Sequence, residues 1–550
     1  MAEKSKANDQ ARLAGASPLS SEQAFAAFTK AMKPNPFMAA GFDFFKELAS
    51  IAAGTSTVAP EAKDWRFQDK AWSENPIYQR WAQAYLAMTE AVEKMIPEDL
   101  PLEDKARAQL AASIVTSTLA PTNTLIGNPA ALAKTWETKG DNLSKGFQNF
   151  LKDLKDNGGM PSQVDDSGFE VGKNLAMTPG KIVLRTPMLE LIHYAPSRAK
   201  VFEVPVLLVP PQIGRFYFTD LSPGRSFAEY VVAQGLNYFA ISWRNPSPAE
   251  RDWGLEEYLS AALEAVEAVA EISGHPKVNV VGFCAGGILS GILGAWLKAK
   301  KIELINSLTL CVTMLDFKTD AVMGAFRLPT MLSVAKAQSE MKGILPGSEL
   351  SKIFTWLRPN DLVWNYWVNN YLMGESPPAF DILAWNKDST NMPAKLHKDF
   401  LELFESNALI EPGRYSIAGE AIDLSTIDCD AFVVGAMTDH LTPWKACYNA
   451  VHLLGGETTF ALSNGGHIAA LVNPPGNPKA WTKLGVAVPG DADSWEPTAE
   501  KRTGSWWESW TKWADQRSGK LVAAPKSLGS SAFKPVGDAP GQYVKENPTG

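Results

Sequence analysis

The sequence predicts an α/β fold: a mainly parallel sheet with helices on both faces, preceded by a helical region and interrupted by an inserted cap. Three observations carry this expectation. Short β-branched runs alternate with amphipathic stretches between about residues 181 and 462. Ahead of them, from Ser20 to about Leu154, apolar residues recur at helical spacing, as in Tyr78, Trp81, Tyr85 and Met88. Between Thr313 and Ala431 more than one hundred residues break the alternation and carry Phe326, Phe354, Trp356, Trp364, Tyr366, Trp367, Tyr371, Phe380 and Trp385.

In chain order, residues 1–17 are polar and mixed in charge, unlike a secretory signal, and 1–19 are expected to be disordered. A helical domain spans 20–165 and ends in a Gly-, Asp- and Ser-rich linker around 156–168. The period then changes. Residues 181–185 and 190–194 read as a strand pair, followed by strands at 204–209, 236–242, 278–283, 307–313, 431–435 and 458–462. The helix marked by Leu255, Leu259, Leu263, Val266 and Ala270 is closed by Gly274 and Pro276. These elements make a catalytic domain over 166–513, with the aromatic insert at about 315–428 read as a cap over the sheet's carboxyl edge. The Gly-, Pro-, Ser- and Ala-rich segment 514–550 reads as an extended tail.

Composition narrows the function. A chain of 550 residues, 45% hydrophobic, suits a folded enzyme of two globular parts with tails. The net charge of −8 argues against a nucleic-acid partner, since phosphate binding needs a basic surface. Four scattered cysteines, Cys284, Cys311, Cys429 and Cys447, make no disulfide framework and point to a reducing cytoplasm. No Cys-x-x-Cys or His-Glu-x-x-His spacing occurs, so no metal site is expected. The uncharged stretch 278–297 is long enough to span a membrane, but its β-branched start and central glycines read as buried strand, turn and helix, so no transmembrane segment is expected.

The chemistry starts at Gly282-Phe283-Cys284-Ala285-Gly286-Gly287, which closes a β-branched run and opens a helix. This is the layout of a nucleophile elbow with a thiol in place of the usual hydroxyl, framed by Gly282 and Gly286. A cysteine there points to thioester chemistry, because the acyl-enzyme would match a thioester substrate in energy and still react with a hydroxyl. A helix starting at Ala285 favours the thiolate. Chain order then requires an acid and a histidine at later strand ends. Asp439 follows the strand at 431–435, and His467 follows the one at 458–462. Asp439 could orient His467 or activate an incoming alcohol; spacing leaves both open. The oxyanion donors are expected to be the backbone N–H of Ala285 and those of Gln212 or Ile213 in the loop after 204–209.

Rivals exist for each role. His440 is the alternative base, while His193 and His275 precede the nucleophile, His397 falls in the cap and His452 in an apparent helix. Asp423, Asp428 and Asp430 sit at the wrong end of their strand. Cys311, Cys429 and Cys447 read as small buried hydrophobes. Asp220 and Arg358 are secondary candidates for pocket support.

Taken together the motifs resemble the polyhydroxyalkanoate synthases. The elbow is similar to their modified lipase box; Arg66-Phe67 with Ala71-Trp72 and Asn75-Pro76, Pro121-Thr122-Asn123, Thr178-Pro179-Gly180 and Ser242-Trp243-Arg244-Asn245-Pro246 resemble further family motifs. So do Met314-Leu315-Asp316-Phe317, Leu357-Arg358-Pro359-Asn360-Asp361-Leu362, Trp385-Asn386 with Asp388-Ser389-Thr390, Gly466-His467-Ile468-Ala469, Gly504-Ser505-Trp506-Trp507 and Gly541-Gln542-Tyr543-Val544-Lys545. The resemblance implies an α/β-hydrolase core and a triad of Cys284, Asp439 and His467. It implies polymerisation of (R)-3-hydroxyacyl-CoA with release of CoA, no cofactor, a homodimer, and a cytoplasmic enzyme on polymer granules beside granule-coat proteins. Phe283 in the elbow resembles the class that uses 3-hydroxybutyryl-CoA; a medium-chain preference is the alternative. A cysteine-elbow hydrolase that releases free hydroxy acid is the other.

Overall fold

The β-branched runs of the catalytic region line up in one eleven-stranded sheet. In chain order its strands are β1 (Gly180–Arg185), β2 (Leu189–Tyr194), β3 (Val206–Val209), β4 (Tyr238–Trp243), β5 (Val278–Phe283), β6 (Ile305–Cys311), β7 (Ala431–Ala436), β8 (Thr458–Ser463), β9 (Trp481–Val486), β10 (Glu500–Thr503) and β11 (Gly537–Asp538). They lie side by side in the order β10-β9-β8-β7-β6-β5-β3-β4-β2-β1-β11. The six strands from β8 to β4 in that row run parallel, and those beyond pair antiparallel at both edges. This is the mainly parallel sheet expected from β-branched runs alternating with amphipathic stretches, and the parallel strands are buried along nearly their whole length.

The computed structural model describes residues 34–319, 322–488 and 490–547. The chain divides into two compact units, one made of 1–167, 324–328 and 351–383, the other of 168–323, 329–350 and 384–550. The expected disorder of 1–19 lies outside the described residues.

In the second unit, helix α6 (Leu255–Ser273) buries Leu255, Leu259, Ala262, Val266 and Val269 on one face. The spacing of three and four makes that face, and each large aliphatic is worth about 1.5–3 kcal/mol on burial. Gly274 ends the helix at φ +68°, a left-handed position that favours glycine. Helix α7 (Ala285–Ala299) follows β5 directly and is apolar nearly all round, as a helix buried beneath a sheet must be. The uncharged stretch 278–297 is therefore strand and helix, and among the described residues no helix is long and apolar enough to cross a membrane.

The first unit is helical, as expected: α1 (Pro34–Ala53), α2 (Pro76–Lys94), α3 (Leu102–Thr118), α4 (Pro129–Glu137) and α5 (Asp141–Asp156). Phe67, Trp72, Ala82, Tyr85 and Ala120 form its core, with Tyr78 and Met88 packed against them. The motif residues have structural jobs here. The Asn75 side chain accepts from the Ile77 N–H and caps α2, with Pro76 in its first turn. The Arg66 guanidinium joins Asp64, the Tyr85 hydroxyl and Asn360.

Two expectations are corrected. The aromatic insert is not one cap on the catalytic part: residues 351–383 group with the helical unit. The Tyr371 hydroxyl donates to the buried Asp153 carboxylate at 2.8 Å, and the Tyr371 backbone lies where a Cβ on Gly146 of α5 would have to sit. Aromatic density records that a segment will be buried, not against which neighbour. Nor is the segment after 514 an extended tail throughout. β11 pairs with β1, and Tyr543 and Val544 are buried. The Glu190 carboxylate accepts the Gln542 and Tyr543 N–H groups, and the buried Arg215 guanidinium donates to the Tyr543 and Glu546 carbonyls.

Candidate active site

The parallel strands β3, β5, β7 and β8 all end at one edge of the sheet, and each delivers a part of the site there. Cys284 joins β5 to α7 at φ +51° and ψ −120°. For a residue with a side chain this backbone is strained by roughly 1–3 kcal/mol, and such strain clusters at functional sites. The strain falls on the cysteine. The flanking glycines supply space instead: a Cβ on Gly286 would run into the carbonyls of Val209 and Pro210, and one on Gly282 into Gly287 and Ser290. The Cys284 N–H is tied to the Cys311 carbonyl at 2.9 Å, and Thr313, which no sequence signal singled out, donates its hydroxyl to the Cys284 carbonyl at 3.2 Å.

Asp439 lies just past β7 and His467 opens the short helix α8 (His467–Leu471) just past β8. Their side chains meet at 2.7 Å between Nδ1 and Oδ2, with the carboxylate fully buried. The other carboxylate oxygen accepts the N–H groups of Leu441 and Thr442, and the Thr442 hydroxyl donates to Oδ2 while lying 3.1 Å from the imidazole. Thr442 was not anticipated. An Asp followed three residues later by Thr in a post-strand loop is a local turn pattern that could have flagged it. Burial alone would raise the Asp439 carboxyl, but His467 and these donors hold it below the usual range. Burial likewise works against a charged His467; Asp439, and then the Cys284 thiol that is also its hydrogen-bond partner, outweigh this and push it up to about 10.

The remaining cysteines are unlike Cys284. Cys311 and Cys447 are fully buried, and burial pushes both thiols well up; Cys429 is pushed up to about 11 by burial. Such thiols are poor nucleophiles.

The rival residues have other occupations. His193 and His397 are buried and lowered to about 4 by desolvation, bonded to Asn237 and Ser339. Asp423 caps a turn at Ser425, Asp428 pairs with Lys298 and Asp430 with Arg517. His440 is half-buried beside Asp439, but the carboxylate is engaged with His467. Asp220 is buried in a node with Thr178, Ser226 and Tyr194, where burial raises its carboxyl, and none of those partners belongs to the triad. Arg358 lies in the helical unit, half-exposed and paired with Asp361.

The expected oxyanion loop follows β3. Gln212 and Ile213 stand two and three residues beyond Pro210, whose carbonyl limits the space at Gly286 in the first turn of α7. The loop is held from its far side: Gly214 bridges to Ser389, Trp385 donates its indole N–H to the Arg215 carbonyl at 2.8 Å, and Arg215 pairs with Asp388. Ala285 is the first residue of α7, so its N–H has no intrahelical acceptor. A thiol, an imidazole–carboxylate pair and free helix N–H groups in one place are the parts needed for acyl transfer through a covalent intermediate.

Phe283 is fully buried beneath the elbow among Phe218, Phe227 and Trp506. It is core, and it reads no acyl chain by contact.

Comparison with known proteins bears on both units. Residues 63–231 match the family model described as the N-terminus of poly-beta-hydroxybutyrate polymerase (PhaC), and 206–474 match the alpha/beta hydrolase fold. Poly(3-hydroxyalkanoate) polymerase 1 of Ectopseudomonas oleovorans is 46% identical over 92% of this chain and 90% of its own length. Polymerase 2 of the same organism is 44% identical over 90% and 89%. The poly(3-hydroxyalkanoate) polymerase subunit PhaC of Cupriavidus necator is 36% identical over 92% and 86%.

Proposed function

The chain belongs to the poly(3-hydroxyalkanoate) polymerase family, and on that premise we propose that it polymerises (R)-3-hydroxyacyl-CoA through a thioester on Cys284. The observation that carries the reading is the buried Asp439–His467 pair meeting a strained, helix-capping cysteine. The thiol proton rests on His467, where Asp439 holds it, and the sulfur adds to the thioester carbonyl of the substrate. The oxyanion is stabilised by the N–H groups of Ala285 and of Gln212 or Ile213. Collapse expels CoA, which leaves with the proton from His467, and the acyl group stays on sulfur. The 3-hydroxyl of the next unit then loses its proton to the His467–Asp439 pair and attacks the thioester, forming the ester and freeing the thiol. No cofactor is needed, because the CoA thioester is already activated.

The enzyme works on cytoplasmic granules of its product, as a homodimer beside granule-coat proteins. Supporting this, the helical unit exposes Phe42, Phe45, Ile77, Trp136 and Phe147, large apolar residues of the kind that favour a hydrophobic surface. The working substrate is 3-hydroxybutyryl-CoA, with a medium-chain 3-hydroxyacyl-CoA as the alternative.

Purified protein given 3-hydroxybutyryl-CoA should release CoA and form high-mass polyester, and the 3-hydroxyoctanoyl thioester in competition reads the acyl-length preference. Monomeric 3-hydroxybutyrate with no polymer would overturn the reading in favour of a hydrolase.

A further inference from the structure

Gln212 is 3% exposed, and neither its amide nitrogen nor its amide oxygen has a hydrogen-bond partner within the protein. Several other buried side chains leave one atom unpaired, such as the hydroxyls of Ser242, Thr390 and Ser463 or the indole N–H of Trp296. Among the described residues Gln212 alone leaves two separate side-chain atoms, the amide nitrogen and the amide oxygen, without a partner in the protein. A buried polar group without a partner costs about 1–3 kcal/mol, and natural proteins rarely keep one without a use. Surrounding structure does not account for it. The loop is otherwise tightly tied, by Gly214 to Ser389, by the Arg215 carbonyl to Trp385, and by the Arg215 guanidinium to Asp388 and the C-terminal segment. A side chain on so constrained a loop had every opportunity to find a protein partner and has none.

The residue's place gives the orphan a meaning. It stands three residues beyond β3, at the edge where β5 presents Cys284, on the loop whose Pro210 carbonyl borders the first turn of α7. A substrate whose carbonyl sits at the oxyanion donors carries its 3-oxygen two carbons away. In the free monomer that oxygen is a hydroxyl, which both donates and accepts. A primary amide with Oε1 and Nε2 both free is its complement. In a growing chain the same oxygen belongs to an ester, whose acceptors Nε2 still satisfies.

We infer that the side-chain amide of Gln212 binds the 3-oxygen function of the acyl unit and so selects 3-hydroxyacyl thioesters over plain acyl thioesters. The inference rests on the polymerase reading and adds the group that recognises the substrate class. The side chain acts by contact with substrate, separately from the backbone N–H of the same residue.

The test is the ratio of single-turnover CoA release from 3-hydroxybutyryl-CoA to that from butyryl-CoA, in the full-length wild type and in Gln212→Met. Methionine keeps length and apolar volume and removes both hydrogen-bonding atoms. The ratio should fall about tenfold, the worth of one good hydrogen bond, while the apparent Tm holds or rises because a buried orphan is gone. A ratio within about twofold of wild type in a folded variant would overturn the inference alone and leave the polymerase reading standing. Should Gln212→Met not fold, Gln212→Leu reads the same ratio. A wild type that releases CoA from neither thioester takes down the polymerase reading and the inference together.

Discussion

Cys284 and the Asp439–His467 pair lie at the same edge of the sheet, with β6 between their strands, yet they are held by different forces. The nucleophile is fixed by backbone: a left-handed φ, an N–H tied to Cys311, and glycines at 282 and 286 where any side chain would strike main-chain atoms. The acid–base pair is fixed by side-chain hydrogen bonding in the interior, with Thr442 and two backbone N–H groups completing the carboxylate's shell. A backbone-fixed group tolerates almost no change around it, because carbonyls cannot move out of the way. A hydrogen-bonded group can lose one partner and keep its place. The contrast predicts a steep response at one end of the triad and a graded one at the other.

The largest effect tests the nucleophile itself. Cys284→Ser should reduce CoA release from 3-hydroxybutyryl-CoA by at least about 10³-fold, since the hydroxyl ionises poorly and its ester is a less reactive acyl donor. Mass spectrometry of quenched wild-type enzyme should find the hydroxyacyl adduct on Cys284; turnover without an adduct there would place the covalent step elsewhere. Next comes Asp439→Asn, which keeps shape but removes the charge that sets the His467 tautomer. Acylation should slow by about 10²-fold and elongation at least as much. If elongation alone suffers, the carboxylate serves the incoming alcohol rather than the imidazole. Gly286→Ala should follow, because a single methyl forces the elbow away from Val209 and Pro210. Overpacking of this kind costs roughly 1–3 kcal/mol, and here the displaced atoms border the oxyanion donors, so activity should drop further than Tm. Wild-type activity in Gly286→Ala would show that the elbow is pliable and would erase the contrast.

The same contrast explains what the sequence made legible. Glycines packed against carbonyls cannot be substituted without displacing backbone, so Gly282-x-Cys284-x-Gly286 is visible as a pattern, and the parallel strand order then points to Asp439 and His467 as residues just past β7 and β8. Thr442 is marked in the sequence only as part of a local Asp-x-x-Thr turn, because its contact with the imidazole depends on where the loop folds. Trp481–Val486 and Glu500–Thr503 give no strand signal, since the first is only partly buried and the second exposed throughout, so lysine and glutamate interrupt their faces. The division of the aromatic insert is illegible for a related reason. Trp364, Trp367 and Tyr371 announce burial, but whether their partner is Asn123 and Asp153 or the sheet is decided by chain path. The C-terminal segment is poor in apolar residues and reads as loose; its order comes from Arg215 and Glu190, which lie more than three hundred residues earlier.

The smallest effect is a pH dependence, and it isolates the hydrogen-bonded end. His467 is raised from 6.5 to about 10, so its contribution to stability is complete below pH 6.5 and is lost as pH rises through 10. Asp439 is held below its ordinary 3.8, so its contribution is present above 3.8 and fades as pH falls through the depressed value. Together they define a plateau between 3.8 and 6.5. Asp439→Asn removes the carboxylate that raises His467, so the wild type's advantage in apparent Tm should be widest near about pH 5.5 and should narrow by about pH 9.5. Strain at Cys284 carries no proton, so Gly286→Ala should lose the same Tm at both pH values. A gap for Asp439→Asn that stays constant across that range would mean the imidazole's proton is not held by the pair, and the two ends of the triad would then differ in geometry alone.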